Sequence, residues 1–221
     1  MKIIVYALML FAASPLLAQI NKDELALNIS KAEQANLQKL KEYVWKRRSD
    51  VFKESKLVLT TITEFSYNAE GKLETKIVDA ETSIQKKPGL RGKAQANAVE
   101  EKADYIEKSL ALALQYAFMS KGEMVDFISK ATITEKNGQL EAVADNVHVD
   151  GDRLLVRIDP STYLFTYKEF TSLLGKDKVE GKLNYEKFSN GTNHLSITAL
   201  NLPAQKMNID AKNQDYTIRV K

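Results

Sequence analysis

The sequence predicts an α+β fold in which one curled antiparallel sheet forms a half-barrel and helices cover its concave face. Three observations point there. Strand-like runs divided by turn residues fill 43–78 and 131–220, about nine or ten in all, too many for a sheet to stay flat. Two stretches, 25–44 and 94–120, carry helical periodicity instead. The later half of the second is apolar nearly all the way round and therefore needs cover on more than one side.

Residues 1–18 have the layout of a secretory signal: Lys2, an apolar run from Ile3 to Ala13, a break at Ser14-Pro15, and the small residue Ala18 for cleavage. The run is shorter than the roughly 20 residues that span a bilayer, so the processed chain is expected to have no transmembrane segment. Residues 19–221 are then expected to be a single exported domain, in the periplasm or outside the cell, large enough to build a core without disulfides. The chain has no cysteine, which excludes thiol chemistry, cysteine-ligated metal and a lipid anchor on cysteine. Loss of Lys2 leaves a net charge of +2, far from the balance of a nucleic-acid binder.

In the processed chain, Leu25, Ile29, Ala32, Leu37, Leu40 and Val44 mark one amphipathic helix packed by one face. Alternation from Tyr43 to Phe52 marks a first strand, with a turn over Lys53 to Lys56. Strands over 57–67 and 72–78 flank the hairpin loop Asn68-Ala69-Glu70-Gly71. Glu81 to Lys93, with Pro88-Gly89-Leu90-Arg91-Gly92, is expected to cross the surface without regular structure. A helix over 94–120 follows, ended by Gly122, with a short helix at 124–128. Strands are then expected at 131–135, 140–149, 153–158, 163–170, 179–188, 195–202, 206–211 and 216–220, joined by turns such as Asn137-Gly138, Asp150-Gly151-Asp152 and Asn190-Gly191.

No motif carries catalysis. The cluster Asp145, Asp150, Asp152 lacks the spacing and the closing Glu of a calcium loop and reads as a hairpin turn. His148 and His194 have no partner at ligand spacing, so neither a metal nor another cofactor is expected. There is no Gly-x-Ser-x-Gly elbow for a hydrolase. Two basic runs stand out: Lys46, Arg47 and Arg48, then Lys86, Lys87, Arg91 and Lys93. Of these, Arg47, Arg48 and Arg91 are candidates for an anionic headgroup. Leu112, Tyr116, Phe118 and Met119 on the apolar helix, with Trp45, are candidates to line a cavity, should packing leave room for one.

The combination Tyr43-x-Trp45-x-x-Arg48, Gly71-Lys72-Leu73 and Pro88-Gly89-Leu90-Arg91-Gly92 with the helix after it resembles an uncharacterised family of exported bacterial proteins. The order of helix, strands, helical insertion and long meander is similar, in architecture alone, to the periplasmic lipoprotein carriers and their outer-membrane receptors, the LolA/LolB type. That resemblance implies a half-barrel lidded by helices that holds acyl chains; it transfers no binding residue. The leading expectation is therefore a non-enzymatic envelope protein that binds a lipid or other hydrophobic small molecule between sheet and helices. The alternatives are a structural module that binds another envelope protein and, third, a hydrolase, which would need a histidine clustered with Ser or carboxylate.

Overall fold

The computed structural model describes residues 20–82 and 90–219, the side chains of residues 90–100 excepted. The leader expected at 1–18 and the crossing residues Lys86, Lys87, Pro88 and Gly89 lie outside the described residues.

The described chain opens with α1 (Lys22–Leu40), whose first turn is capped by the Asn21 side chain accepting from the Asp23 and Glu24 backbone N–H groups. Three strands follow: β1 (Tyr43–Lys53), β2 (Lys56–Tyr67) and β3 (Leu73–Thr82). The β1–β2 turn, Glu54-Ser55, has positive φ at both residues, the twist that suits a two-residue hairpin, achieved here without glycine. Two helices, α2 (Leu90–Ala117) and α3 (Lys121–Lys130), are inserted before the chain returns to strands. The return is a meander: β4 (Thr132–Lys136), β5 (Gln139–Asp145), β6 (Arg153–Ile158), β7 (Phe165–Leu174), β8 (Asp177–Lys187), β9 (Asn193–Leu202) and β10 (Met207–Ile218).

All ten strands form one antiparallel sheet in the order β3-β2-β1-β10-β9-β8-β7-β6-β5-β4. The sheet is curled but unclosed, since β3 and β4 are its free edges. It is therefore the half-barrel expected from the sequence. Its one non-sequential join is β1 with β10, from Tyr43 opposite Ile218 to Lys53 opposite Met207. Irregularities in register between Val44 and Lys46, Val51 and Phe52, Ile62 and Thr63, Arg157 and Ile158, and Asn184 and Tyr185 help the strands bend.

Several boundaries differ from the sequence expectation: β3 continues through Glu81 and Thr82, β7 is shifted to Phe165–Leu174, and α3 extends beyond 124–128 at both ends. Four more have an identifiable cause. Leu90, Arg91 and Gly92 belong to α2, not to an irregular crossing: the two residues that break structure most, Pro88 and Gly89, precede the helix, and one Gly near its start costs only about 1 kcal/mol. Gly122 does not end a helix but sits in the first turn of α3. There Ser120 and Glu123 form a reciprocal capping box, so α2 ends at Ala117. Strand β5 stops at Asp145 because the Asp152 carboxylate gathers the N–H groups of Val147, His148 and Val149 into a loop. Residues 206–211 and 216–220 are not two strands. β10 runs from Met207 to Ile218 and accommodates Asp215 at positive φ without leaving the sheet.

The concave face is the core. Phe165, Phe170, Leu183, Leu200 and Ile209 from the sheet meet Ile29 of α1, Ala113 and Tyr116 of α2, and Phe127 and Ile128 of α3 in one buried cluster. The apolar segment of α2 is thus wrapped by the bent sheet, with only Ala111 and Gln115 of its last two turns facing out. Gly181 has a specific part in this packing. It lies opposite Phe170 on the neighbouring strand, and a Cβ there would run into the Phe170 ring, which in turn stacks on Tyr116 at 4.1 Å between centroids. A second, aromatic cluster of Tyr43, Trp45, Phe65 and Tyr67 with Leu40 covers the β1–β2 side.

Candidate functional site

Helix α1 reaches the sheet through polar bonds as well as apolar packing. Asn36 and Asn193 exchange two bonds, the Asn36 Nδ2 donating to the Asn193 carbonyl at 2.8 Å and the Asn193 N–H donating to Asn36 Oδ1 at 2.7 Å. One turn earlier, Glu33 accepts from the Phe165 N–H at 3.1 Å. These bonds dock the helix on the sheet, and a cavity of about 450 Å³ lies between α1, the α2–α3 junction and the sheet. Its apolar wall includes Leu37, Leu40, Leu73, Phe118, Met119, Met124, Phe165 and Leu195. Its polar lining includes Glu33, Asn36, Lys168, Tyr185, Asn193 and His194, with Ser120 and Glu123 at the α2–α3 junction. A larger depression of about 640 Å³ runs over Glu169, Glu180, Lys182, Asn201 and Asp210, on the polar outward phase of the strands, and has no comparable apolar wall.

Lys168 is the central charge of the cavity. It is 1 % exposed, in phase with the buried Phe170 and Ser172 on β7. Its Nζ donates to the Tyr116 carbonyl at 2.9 Å and the Ala117 carbonyl at 3.1 Å, the last two of α2, and lies 4.0 Å from the centre of the Phe165 ring. The Tyr185 hydroxyl donates to the same Ala117 carbonyl at 3.1 Å. The C-terminus of α2, negative by its dipole, is thus closed by a cation and a phenol from the sheet. Burial pulls the Lys168 amine down to about 8, against the opposing pull of Glu33 and Glu123. Burial likewise raises Glu33, opposed by Lys168 and the Phe165 N–H.

Of the residues expected to line a cavity, Phe118 and Met119 do line this one. Tyr116 turns its ring away: the ring stacks on Phe170, the hydroxyl donates to Asp152 at 2.5 Å, and only its carbonyl meets Lys168. Leu112 packs against the main core. Trp45 sits in the adjacent aromatic cluster, stacked between Phe65 and Tyr216 at 5.5 Å from each. Arg47 and Arg48 face opposite sides of β1. Arg47 is buried, its Nε donating to Asn213 Oδ1 at 2.8 Å, whereas Arg48 is on the outer face and pairs with Asp50 at 2.9 Å. The Arg91 and Lys93 side chains lie outside the described residues.

The two histidines stand apart. His194 stacks on Phe188 at 4.1 Å, and burial lowers its affinity for a proton. His148 Nδ1 is 3.5 Å from Glu123 Oε1, and its ring meets Tyr116 edge-on. Among the described residues neither histidine hydrogen-bonds a hydroxyl, but His148 does lie beside a carboxylate, Glu123, one of the two arrangements that the hydrolase expectation named. Asp152 is a loop anchor, holding three backbone N–H groups and the Tyr116 phenol, while Asp145 pairs with Arg153.

The polar residues of the cavity are not among the sequence candidates. Their signals are present in retrospect: Lys168 falls two residues before Phe170 on the inward phase, and Glu33 falls one helical turn after Ile29 on the packed face.

No family model and no curated protein matches the sequence. Among solved structures, the chain is similar to a DUF1329 family protein from Desulfovibrio piger, at 9% identity, TM-score 0.42, over 90% of this chain and 92% of that one. It is also similar to a domain assigned to the outer membrane lipoprotein-sorting proteins from Vibrio parahaemolyticus, at 12% identity, TM-score 0.47, over 90% and 94%. A LolA superfamily protein from Nitrosomonas europaea aligns at 12% identity, TM-score 0.36, over 85% and 94%.

Proposed function

We propose that this chain is an exported, non-enzymatic binding protein that holds the apolar part of a lipid or similar amphiphile in the cavity between α1, the α2–α3 junction and the sheet. The observation that carries the reading is the cavity itself. Its volume of about 450 Å³ falls in the range of about 300–1,000 Å³ typical of small-ligand sites. Its composition fits as well: Leu, Met and Phe side chains offer surface to a chain, and buried Lys168 and Asn193 among the polar lining offer orientation. Among the described residues neither histidine hydrogen-bonds a hydroxyl, and Ser120 and Glu123 at the cavity are engaged with each other in the cap of α3.

The test is displacement of a fluorescent fatty-acid probe from the purified protein, with native mass spectrometry to detect ligand carried through purification. Leu37→Trp, which fills the cavity from α1, is expected to weaken probe binding about tenfold or more while the protein keeps its thermal transition. Probe binding that is absent from the parent protein, or indifferent to Leu37→Trp, would overturn the reading.

A further inference from the structure

Behind the cavity wall on the β1–β2 side lies a pair of donors with nothing to donate to. Trp45 and Arg47 are two residues apart on β1 and both point to the concave face. Their side chains flank the Phe65 ring: the Trp45 indole stacks on it at 5.5 Å, and the Arg47 guanidinium lies over it at 4.6 Å. Arg47 is 3 % exposed and uses its Nε on Asn213, yet its Nη2 has no acceptor, and neither has the buried Trp45 Nε1. Among the described residues no carboxylate forms an ion pair with Arg47. An uncompensated buried cation and an idle buried donor beside it are each costly, and the two together call for an acceptor that brings negative charge.

The pair is next to the cavity. Tyr67 belongs both to the cavity wall and to the aromatic cluster, packing 6.0 Å from Trp45. On the other side, Asn213, which holds Arg47, donates its Nδ2 to the carbonyl of Leu195, itself a cavity residue. An amphiphile whose tail fills the cavity therefore has its β2-side end one ring away from Trp45, with Arg47 the next residue on the same face of β1.

We infer that Trp45 and Arg47 form an oxyanion subsite for the head of the bound amphiphile, so that the ligand is an acyl or alkyl chain ending in a carboxylate or phosphate. This rests on the ligand-binding reading above and narrows it. The idle Arg47 Nη2 supplies two N–H donors with the guanidinium charge behind them, and the indole N–H supplies a third. On this inference Tyr67, which lies between the cavity and Trp45, is the ring that the head displaces.

The experiment uses the full-length protein as recovered from expressing cells and three probes with the same sixteen-carbon chain: palmitate, hexadecyl phosphate and hexadecanol. At least one of the two anions is expected to bind about 10- to 100-fold more tightly than the alcohol, and which one does distinguishes a carboxylate from a phosphate head. The single tryptophan reports directly: its emission is expected to change with the preferred anion and not with hexadecanol. Arg47→Met is expected to abolish the anion preference, read as the ratio of anion to hexadecanol affinity within the variant, whereas Arg47→Lys keeps part of the preference by keeping the charge. If Arg47→Met fails to fold, as judged by circular dichroism, Arg47→Lys and the tryptophan signal of the parent protein still decide. Equal binding of acids and alcohol overturns the subsite and leaves the cavity reading standing. A preference lost with Lys168→Met but retained in Arg47→Met assigns the head to the cavity lysine and also overturns it. Failure of all three probes to bind overturns both.

Discussion

Lys168 sits where a solvated amine would not choose to be, and its protonation is linked to folding. Its affinity for a proton in the folded protein, at about 8, is below the ordinary value near 10.4 of an unfolded chain. Between those two values the unfolded chain binds more protons than the folded one, so stability rises with pH across that window; below about 8 the folded state bears the full cost of the buried charge. Glu33 has the opposite sign: its raised value means that stability is lost as pH rises past its ordinary 4.5 toward the folded value. Lys168→Met should remove the alkaline part of this dependence. Urea unfolding of parent and variant from about pH 7 to about pH 10.5 should show the parent gaining on the variant as pH rises, since the tyrosine contributions cancel in the difference. A gap that is constant across this range would mean that the amine is not held at the depressed value. The same residue explains why the polar part of the cavity escaped a reading of the sequence. A lysine on a strand is ordinarily outward, and only its phase with Phe170 and Ser172 shows otherwise. Arg47 and Arg48, adjacent in sequence, are separated by the pleat, which alternation does predict once the strand is placed.

At the scale of elements, the joint between α2 and α3 forms the rim of the cavity. Phe118 and Met119 lie between the last carbonyls of α2, held by Lys168 and Tyr185, and the capping box of α3. Ser120→Ala removes the acceptor for the Glu123 N–H and should cost about 1 kcal/mol by urea unfolding, with a further loss of definition at Phe118 and Met119. A variant indistinguishable from the parent would show that the joint is fixed by packing alone. Strand positions were legible because alternation and turn dipeptides are local: β6, for instance, begins and ends where the pattern does. Helix ends were less so. The capping box at Ser120 and Glu123 is a local signal outweighed in the reading by Gly122, and the loop at 146–152 depends on Asp152, whose inward turn is set by Tyr116 from a distant helix.

For the whole molecule, the decisive contact is one that no local pattern encodes. β1 pairs with β10 across most of the length of the chain, and this joins the first three strands to the seven-strand meander. The curl and the helix-covered concave face followed from strand number and the apolar face of α2, but the site of the join did not, since two strands of suitable length declare no partner. A chain ending after Gln205 lacks β10 and should show no cooperative thermal transition by circular dichroism, although nine of the ten strands remain. Retention of a cooperative transition would mean that the two parts are independent.

The position of β10 also bears on how such a chain is made. The tenth strand is the keystone of the arch, so β1 keeps one edge unoccupied until residues 207–218 have been synthesised. For a polypeptide that we propose is carried out of the cytoplasm, late closure is an advantage: the chain stays pliable enough to thread through a narrow channel, and locks only after β10 has arrived.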